Sequence, residues 1–206
     1  MNIVIAKNQE DIDRCLEIRK AVFVKEQSVP LELEADEYDF ESADCTHFMI
    51  FDEDRLIGTY RIICEKKGEA HFQRFCILKD FRGEGYGRAA LREAENFCIE
   101  KGYSKITLNS QCYAIGFYER SGFIVVSGAF NDAGIPHTAM EKNIEPEEIR
   151  KKKQLFLSQK ELLDTFLLKG AISKAQYDKS YGDLVVKMGM VDVVSNTELE
   201  PEKNIN

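Results

Sequence analysis

The feature that most constrains the fold lies between residues 75 and 88, where an apolar run leads through a glycine-rich loop into a helix. Residues 75–78 (Phe-Cys-Ile-Leu) have the composition of a buried strand. The loop contains Gly83, Gly85 and Gly87, with Arg82 and Arg88 beside them. Alternating glycines leave backbone N–H groups unobstructed, and the start of a helix adds its positive end. This arrangement predicts an anion site, for which a pyrophosphate is the natural ligand.

The spacing of these glycines separates the classes of nucleotide-binding loop. A dinucleotide-binding loop needs a third glycine at the position where Arg88 stands. A P-loop would end in Gly-Lys-Ser/Thr, and the loop of a protein kinase would be accompanied by further motifs that are missing here. Three alternating glycines at a helix start are also a poor choice for stability alone, so we interpret the loop as a binding site.

Hydrophobic periodicity predicts the order β-α-β-β-β-α-β-α-β-β for the first part of the chain. The apolar stretches 47–51, 56–64 and 70–78 are joined by charged turns and predict an antiparallel meander. The helix that follows the glycine loop is predicted to run from Arg82 to about Lys101, with Gly102 as its C-cap. The expected fold class is therefore α/β, a mixed and mostly antiparallel sheet flanked by helices.

The composition changes near Pro146, and residues 145–194 predict an α-helical hairpin. A Leu- and Phe-rich run ends at Gly170, and Ser173 and Gln176 then have the spacing of a capping box. We expect the polar residues 195–206 to be disordered. Two short helices are marginal alone in water, so the hairpin predicts either a homodimer contact or docking on its own chain.

Charge and cysteine usage exclude several classes of protein. A formal net charge of −8 over 206 residues argues against a nucleic-acid binder that relies on a basic surface. The 6 cysteines form no Cys-x-x-Cys pair and have no metal-ligand spacing to the 3 histidines, which favours reduced thiols and no metal. We found neither a signal peptide nor an apolar run of membrane-spanning length, so we expect a cytoplasmic protein without a membrane partner.

Two motifs carry a resemblance to a known family. Residues 82–87, as Arg-x-x-Gly-x-Gly, resemble the R-x-x-G-x-G signature of the GNAT superfamily of acyl-CoA-dependent N-acetyltransferases. Residues 117–123 look like its F-Y-x-x-x-G-F element, and residues 22–30, 34–39 and 134–140 are similar to segments of a subgroup of small bacterial acetyltransferases. The resemblance covers roughly residues 3–144. It implies that residues 1–144 form a GNAT-like domain that uses acetyl-CoA as co-substrate and acetylates an amine of a small molecule or peptide.

The resemblance also implies roles for individual residues. The strand that ends at Leu78 would splay from its neighbour, and the N–H near Ile77 would stabilise the oxyanion. Tyr118 would be the general acid, because a phenol pKa of about 10 is close to what a thiolate leaving group requires; a core aromatic is the alternative. Asn109 would bind pantetheine amides or simply end its strand. The predicted cofactor-binding residues are Cys76, Ile77, Leu78, Arg82, Gly83, Gly85, Tyr86, Gly87, Arg88 and Asn109.

The sequence leaves the acceptor side open. The candidate substrate-binding residues are Glu26, Glu34, Asp36, His71, Gln73 and His137. Gln73 cannot titrate, a lone histidine on a strand often only packs, and a water chain is an alternative base. The acid-rich residues 31–44 either face the cleft and favour a cationic amine or form a solvated edge. Arg61 and Arg74 either bind an acceptor carboxylate or balance these acids.

A different class of protein stays open beside the enzyme. The chain could be an acyl-CoA-binding sensor with little transferase activity, whose C-terminal hairpin contacts a partner. Tyr118 beside an intact glycine loop favours the enzyme.

Overall fold

The computed structural model describes residues 1–41 and 44–190. The described part of the chain divides into two compact units, one within residues 1–144 and the other within residues 145–190. The tail predicted to be disordered, residues 195–206, lies outside the described residues.

The first unit is built on one sheet, which has eight strands among the described residues. They are β1 (Asn2–Ile5), β2 (Cys45–Asp52), β3 (Arg55–Lys66), β4 (Glu69–Ile77), β5 (Lys105–Gln111), β6 (Ile124–Val125), β7 (Phe130–Asp132) and β8 (Ile135–Asn143). The strand order is β1-β2-β3-β4-β5-β8-β6, with β7 also paired to β8. The β4–β5 pair is parallel and its neighbours are antiparallel. The predicted mixed, mostly antiparallel sheet flanked by helices is confirmed.

Three α-helices belong to this unit in the described part of the chain: α1 (Gln9–Arg19), α2 (Tyr86–Glu100) and α3 (Ile115–Glu119). The Asn8 side chain caps α1 by accepting a hydrogen bond from the Asp11 N–H. α1 continues without interruption into a π-helical segment, Lys20–Glu26. α2 begins later than the sequence predicts, because residues 79–81 form a separate 3₁₀ turn and Gly85 is left-handed.

The two faces of the sheet have different chemistry. Tyr60 and Arg61 are neighbours on β3, so their side chains lie on opposite faces. Tyr60 belongs to the apolar core, which includes Phe72 and Leu91 of α2. Arg61 lies on the other face and pairs with residues of the acid-rich segment. The sheet therefore separates an apolar core under α2 from a polar layer that includes Arg19 of α1.

An opening separates β4 from β5. Their parallel pairing ends at His71 and Thr107, after three residue pairs. Beyond this point β4 contains a β-bulge, where Arg74 and Phe75 together face the single residue Tyr60 of β3. Arg74 has φ +54°, a left-handed conformation that is uncommon for a side chain of this size. The bulge bends β4, and residues 72–77 and 108–111, which do not pair with each other, border the opening.

The second unit is the predicted helical hairpin, with α4 (Glu147–Leu168) and α5 (Lys174–Met188). Its core contains Phe156, Leu184 and Met190. The capping box of Ser173 and Gln176 is formed at the start of α5. Among the described residues, no helix is both long and apolar enough to cross a membrane.

Candidate active site

The glycines of the loop after β4 have two different structural roles. Gly83 and Gly85 both have φ +89°, and a Cβ placed on either would meet nothing within 4 Å. A side chain there would be strained by the backbone, yet the space above the loop is open. At Gly87 a Cβ would lie 3.1 Å from Cζ of Phe117. Gly83 and Gly85 therefore shape the loop, whereas Gly87 lets α2 approach Phe117.

The N-terminus of α2 faces this open space. The first helical hydrogen bond of α2 runs from the Ala89 N–H to the Gly85 carbonyl at 3.1 Å. Within the described residues no side chain caps this end, since the N-cap is Gly85. The preceding amides, including those of Tyr86 and Gly87, have no intrahelical acceptor. Arg88 is exposed beside them. The result is a cluster of backbone donors suited to an anion.

Arg82 is bound to Glu26 instead of standing alone beside the loop. Its Nη1 and Nη2 donate to the two carboxylate oxygens of Glu26 at 2.6 and 2.8 Å, and its Nε donates to the Ile77 carbonyl at 2.8 Å. The hydrogen bonds from Arg82 lower the pKa of Glu26. Glu26 is therefore ionised at neutral pH, and a proton on its carboxylate would be less stable than on an ordinary glutamate.

The end of β4 places the other predicted cofactor residues. Cys76 and Ile77 are buried, and burial raises the pKa of the Cys76 thiol well above its ordinary value. The Leu78 N–H donates to the Ile57 carbonyl at 2.8 Å, so this amide already has an acceptor. Across the opening, Asn109 is exposed on β5.

The far end of β5 carries contacts that the sequence did not reveal. Nε2 of Gln111 donates to Oε1 of Gln27 at 2.9 Å, and Nε2 of Gln27 donates to the Tyr113 hydroxyl at 3.3 Å. Gln27 and Gln111 are 84 positions apart. One local signal was available, because Gln111 lies two residues beyond Asn109, the last residue of the predicted strand.

Tyr118 is buried in α3 against two other rings. Its ring centroid is 5.0 Å from that of Phe117 and 5.9 Å from that of Phe123. Burial raises the pKa of Tyr118 above the ordinary value of a phenol, so its hydroxyl is protonated at neutral pH. The ring packs as a core aromatic would, and it carries a proton that a general acid could donate.

The acid-rich segment forms a buried cluster with three arginines, which we call the acid–arginine cluster. Its members are Arg19, Glu34, Asp36, Asp39, Arg61 and Arg74. Arg19 and Glu34 are 1% and 0% exposed, and their Nε and Oε1 atoms are 2.5 Å apart. Glu34, Asp36 and Asp39 are therefore not part of a solvated edge, whereas Glu32, Glu37 and Glu41 are exposed.

The cluster engages the two acids proposed to bind the acceptor. Arg19 and Arg74 bind one carboxylate oxygen each of Glu34. Asp36 receives hydrogen bonds from Arg61 at 2.6 and 2.7 Å and another from Arg74 at 3.0 Å. Burial alone would raise the pKa of Asp36, but Arg61 outweighs it and holds the pKa well below its usual range. In this conformation neither carboxylate is open to an amine, because arginines satisfy both.

Gln73 and the histidines lie at different places around the opening. Arg61 fixes Gln73 by donating to its Oε1 from Nε at 2.9 Å and from Nη2 at 2.5 Å. Nδ1 of His71 is 2.8 Å from Oγ1 of Thr107, in a shallow depression of about 260 Å³. His137 is buried at the start of β8, opposite Gln111, with Nδ1 2.8 Å from the Ile135 carbonyl.

The third histidine, His47, is disfavoured in its charged form because it is buried. His47 is buried on β2, with Nε2 2.6 Å from the Tyr38 carbonyl, and burial lowers its pKa.

Of the candidate acceptor residues, the structure brings His71 and Gln73 to the narrow end of the opening and Glu26 and His137 to its wide end. Glu34 and Asp36 belong to the cluster.

The site can be compared with known proteins. YjcF of Bacillus subtilis, described as an uncharacterized N-acetyltransferase, is 39% identical over 144 residues, which span 69% of this chain and 100% of YjcF. YyaT of the same species is 36% identical over 146 residues, spanning 70% of this chain and 97% of YyaT.

Solved structures share the fold. Escherichia coli ElaA superposes with a TM-score of 0.62 and 23% identity, over 69% of this chain and 99% of ElaA. An aminoglycoside 6′-N-acetyltransferase complexed with coenzyme A gives a TM-score of 0.56 and 16% identity, over 71% and 98% of the two chains. Residues 5–144 match the family model described as an acetyltransferase (GNAT) domain. Through these residues, the chain belongs to the GNAT family of acetyltransferases.

Proposed function

We propose that this protein transfers an acetyl group from acetyl-CoA to an amine of a small molecule or peptide, by direct attack in a ternary complex. One observation carries the proposal: the uncapped N-terminus of α2 lies beside the end of β4, at the border of the opening between β4 and β5. A diphosphate held by these amides would direct the pantetheine arm and its thioester between the two strands.

Three chemical steps follow from this placement. The neutral amine attacks the thioester carbon, and the charge that develops on the carbonyl oxygen is stabilised by a backbone N–H of β4 near Ile77. The C–S bond then breaks, and the thiolate takes a proton from Tyr118. Burial raises the pKa of Tyr118, which makes it a weaker acid than an ordinary phenol, so it donates its proton only to the charged thiolate as that forms. The nitrogen of the new amide releases its extra proton to a water chain, which returns a proton to the Tyr118 phenolate. Most of the rate would come from holding the two substrates together.

Support for coenzyme A comes from a relative in fold. The aminoglycoside 6′-N-acetyltransferase was solved with coenzyme A bound. We infer that coenzyme A binds this chain through residues 82–88 and the ends of β4 and β5. Asn109, exposed on β5, would hydrogen-bond the pantetheine amides.

Cofactor binding is tested by thermal unfolding. Acetyl-CoA at about 100 times its dissociation constant should stabilise the native protein by about 2.7 kcal/mol. Gly85→Asp should abolish this shift, because it places a carboxylate in the anion site. Gly102→Asp is the matched control: Gly102 also has positive φ and open space, but it follows the other end of α2. Stabilisation by NAD, ATP or GTP without stabilisation by acetyl-CoA would show that the proposal is wrong.

Transfer itself is tested by an acceptor screen. Free thiol released from acetyl-CoA is measured with polyamines, aminoglycosides, amino acids and peptides as acceptors. The proposal expects release that depends on at least one amine. Tight binding of acetyl-CoA with neither amine-dependent release nor slow hydrolysis would instead identify a binding protein.

We further propose that α4 contacts a second copy of the chain. Leu155, Leu162 and Phe166 are 52%, 52% and 40% exposed, and their spacing places them on one stripe of the helix. A twofold axis would bring two such stripes together and bury both. Light scattering should show a dimer at micromolar concentration, and Leu155→Glu/Leu162→Glu a monomer. Val186→Glu on α5, where Val186 is 77% exposed, is the control. A monomeric wild-type protein would refute the contact.

A further inference from the structure

The wide end of the opening between β4 and β5 is spanned by two consecutive residues, Glu26 and Gln27, at the end of the π-helical segment. The narrow end is closed by the last residue pair, His71 and Thr107. We call Glu26 and Gln27 the clasp.

Glu26 is tied to the β4 side. Its carboxylate accepts two hydrogen bonds from Arg82, at 2.6 and 2.8 Å. Arg82 in turn donates from Nε to the carbonyl of Ile77, the last residue of β4, at 2.8 Å. A paired-fork contact of this kind fixes direction as well as distance.

Gln27 is tied to the β5 side. Its Oε1 accepts from Nε2 of Gln111, the last residue of β5, at 2.9 Å. Its Nε2 donates to the hydroxyl of Tyr113, which follows two residues later, at 3.3 Å. Two neighbouring residues of one segment therefore contact both borders of the opening.

The backbone is distorted at the same place. Residues Lys20–Glu26 are π-helical, a rare form that is frequently found at functional sites. The Gln27 N–H bonds to the Val22 carbonyl at 3.1 Å, five residues back, and Ser28 then has φ +61°. Conformations of this kind persist only where the surrounding structure holds them. The chain thus departs from regular helix where it meets both strands.

The contacts turn the opening into a closed frame. Its sides are residues 72–77 of β4 and 108–111 of β5, its narrow end is the last strand pair, and its wide end is the clasp. The face toward α2 carries the aromatic rings of Phe75 and Phe117, whose centroids are 6.1 Å apart. If the thioester lies between the strands near Ile77, an acetyl group is the smallest acyl group that enters this frame, and a longer acyl chain would extend toward the clasp or the rings.

We propose that Glu26 and Gln27 determine acyl-chain specificity by holding the frame closed against acyl groups longer than acetyl. This inference rests on the proposed function, because it assumes that an acyl thioester lies between β4 and β5. It assigns Glu26 a role in positioning the frame, as the partner of Arg82.

The test compares dissociation constants for acetyl-CoA and hexanoyl-CoA, measured by calorimetry without an acceptor. Both ligands carry the same coenzyme A, so a changed contact at Arg82 cancels in the ratio of the two constants. We expect the wild-type protein to bind acetyl-CoA at least about tenfold more tightly than hexanoyl-CoA, a discrimination typical of a few methylenes in a restricted site. In Glu26→Ala/Gln27→Ala the ratio should fall by about tenfold.

Two further variants separate the clasp from a general loss of structure. Lys25→Ala changes an exposed neighbour on the same segment and should keep the wild-type ratio. Gln27→Glu keeps the acceptor for Gln111 and can accept a hydrogen bond from the Tyr113 hydroxyl, so it should retain most of the discrimination.

The outcomes distinguish the two levels of the argument. A wild-type protein that binds neither thioester shows that the proposed function is wrong. Binding of both thioesters with equal affinity, or an unchanged ratio in the double variant, overturns the clasp and leaves the proposed function standing. An unchanged ratio in the double variant would also mean that the Glu26–Arg82 pair behaves as an ordinary surface ion pair.

Discussion

The glycine loop and the acid–arginine cluster are both rich in polar groups, and they differ in whether those groups have partners. At the loop, the first amides of α2 face open space and no side chain caps them in the described part of the chain. In the cluster, Arg19, Glu34 and Asp39 are at most 5% exposed and are bound to one another.

The presence or absence of hydrogen-bond partners distinguishes a binding site from a structural cluster better than residue composition does. A polar group with no partner in the folded chain is available to a ligand, whereas a polar group that is already bound holds the fold together. From the sequence, the acids of residues 31–44 could form either an amine-binding surface or a solvated edge. In the structure Glu34, Asp36 and Asp39 anchor their own segment to the sheet.

The largest expected effect comes from removing an arginine of the acid–arginine cluster. Arg61→Ala would leave the carboxylates of Asp36 and Asp39 short of partners in a buried setting, which costs about 3–5 kcal/mol in the free energy of unfolding. Urea unfolding followed by circular dichroism measures it. Lys20→Ala removes a pair whose Glu17 is 70% exposed and should cost less than about 1 kcal/mol. Equal losses in the two variants would contradict the distinction.

The candidate active site should respond in activity more than in stability. Tyr118→Phe keeps the ring in its core contacts and removes the proton, so we expect the turnover number to fall by about a hundredfold. The affinity for acetyl-CoA should change little. Tyr103→Phe, a partly buried tyrosine just beyond the other end of α2, serves as the control and should keep normal turnover. Wild-type turnover in Tyr118→Phe would leave Tyr118 with packing alone.

Low pH should selectively weaken the acid–arginine cluster. The pKa values of Asp36 and Asp39 are lowered in the folded protein, because arginines outweigh the effect of burial. The unfolded chain therefore takes up protons first, and the stability from these pairs is present above the ordinary aspartate pKa of about 3.9. It is lost progressively as the pH falls below that value.

The urea midpoint measured as a function of pH tests this dependence. Arg61→Ala should show a smaller decline between about pH 5 and pH 3, because part of the linkage has already been removed. An equally steep decline in that variant would assign the acid sensitivity to other carboxylates.

The smallest expected effect concerns a polar group without a partner in the core. The Tyr60 hydroxyl is buried and has no hydrogen-bond partner among the described residues. Tyr60→Phe should therefore raise the free energy of unfolding, by about 1 kcal/mol. Its neighbour Thr59 donates to the Phe48 carbonyl at 2.7 Å, so Thr59→Val should lower stability by a similar amount. Changes of the same sign in the free energy of unfolding of both variants would show that the presence of a hydrogen-bond partner does not determine the effect.

The sequence predicts what depends on neighbouring residues. The strands, the C-cap at Gly102 and the capping box at Ser173 follow from short-range patterns, and the structure contains all of them. The glycine loop is likewise contiguous, so its shape could be expected from residues 83–87 alone.

Features that depend on distant partners could not be predicted. The sequence also predicts a helix from Gln111 to Ser121 and a Gly/Asn/Asp/Pro-rich loop before the last strand. The structure shortens that helix to α3 after a 3₁₀ turn and forms β7 within the loop. The pairing of Arg61 with Asp36 joins residues 25 positions apart, and the clasp joins residues 84 positions apart. No local pattern encodes such contacts, because they exist only once the sheet has brought the segments together.

Arg74 joins the acid–arginine cluster to the border of the opening between β4 and β5. Its backbone makes the left-handed bend that turns β4 away from β5, and its guanidinium binds Glu34 and Asp36. Glycine would accept the bend with less strain but would lose both contacts. The gap between the strands is thus mechanically coupled to a segment some forty residues earlier in the chain. We therefore expect folding to set the width of the gap late, after residues 31–41 have docked, and evolution to have changed the two segments together.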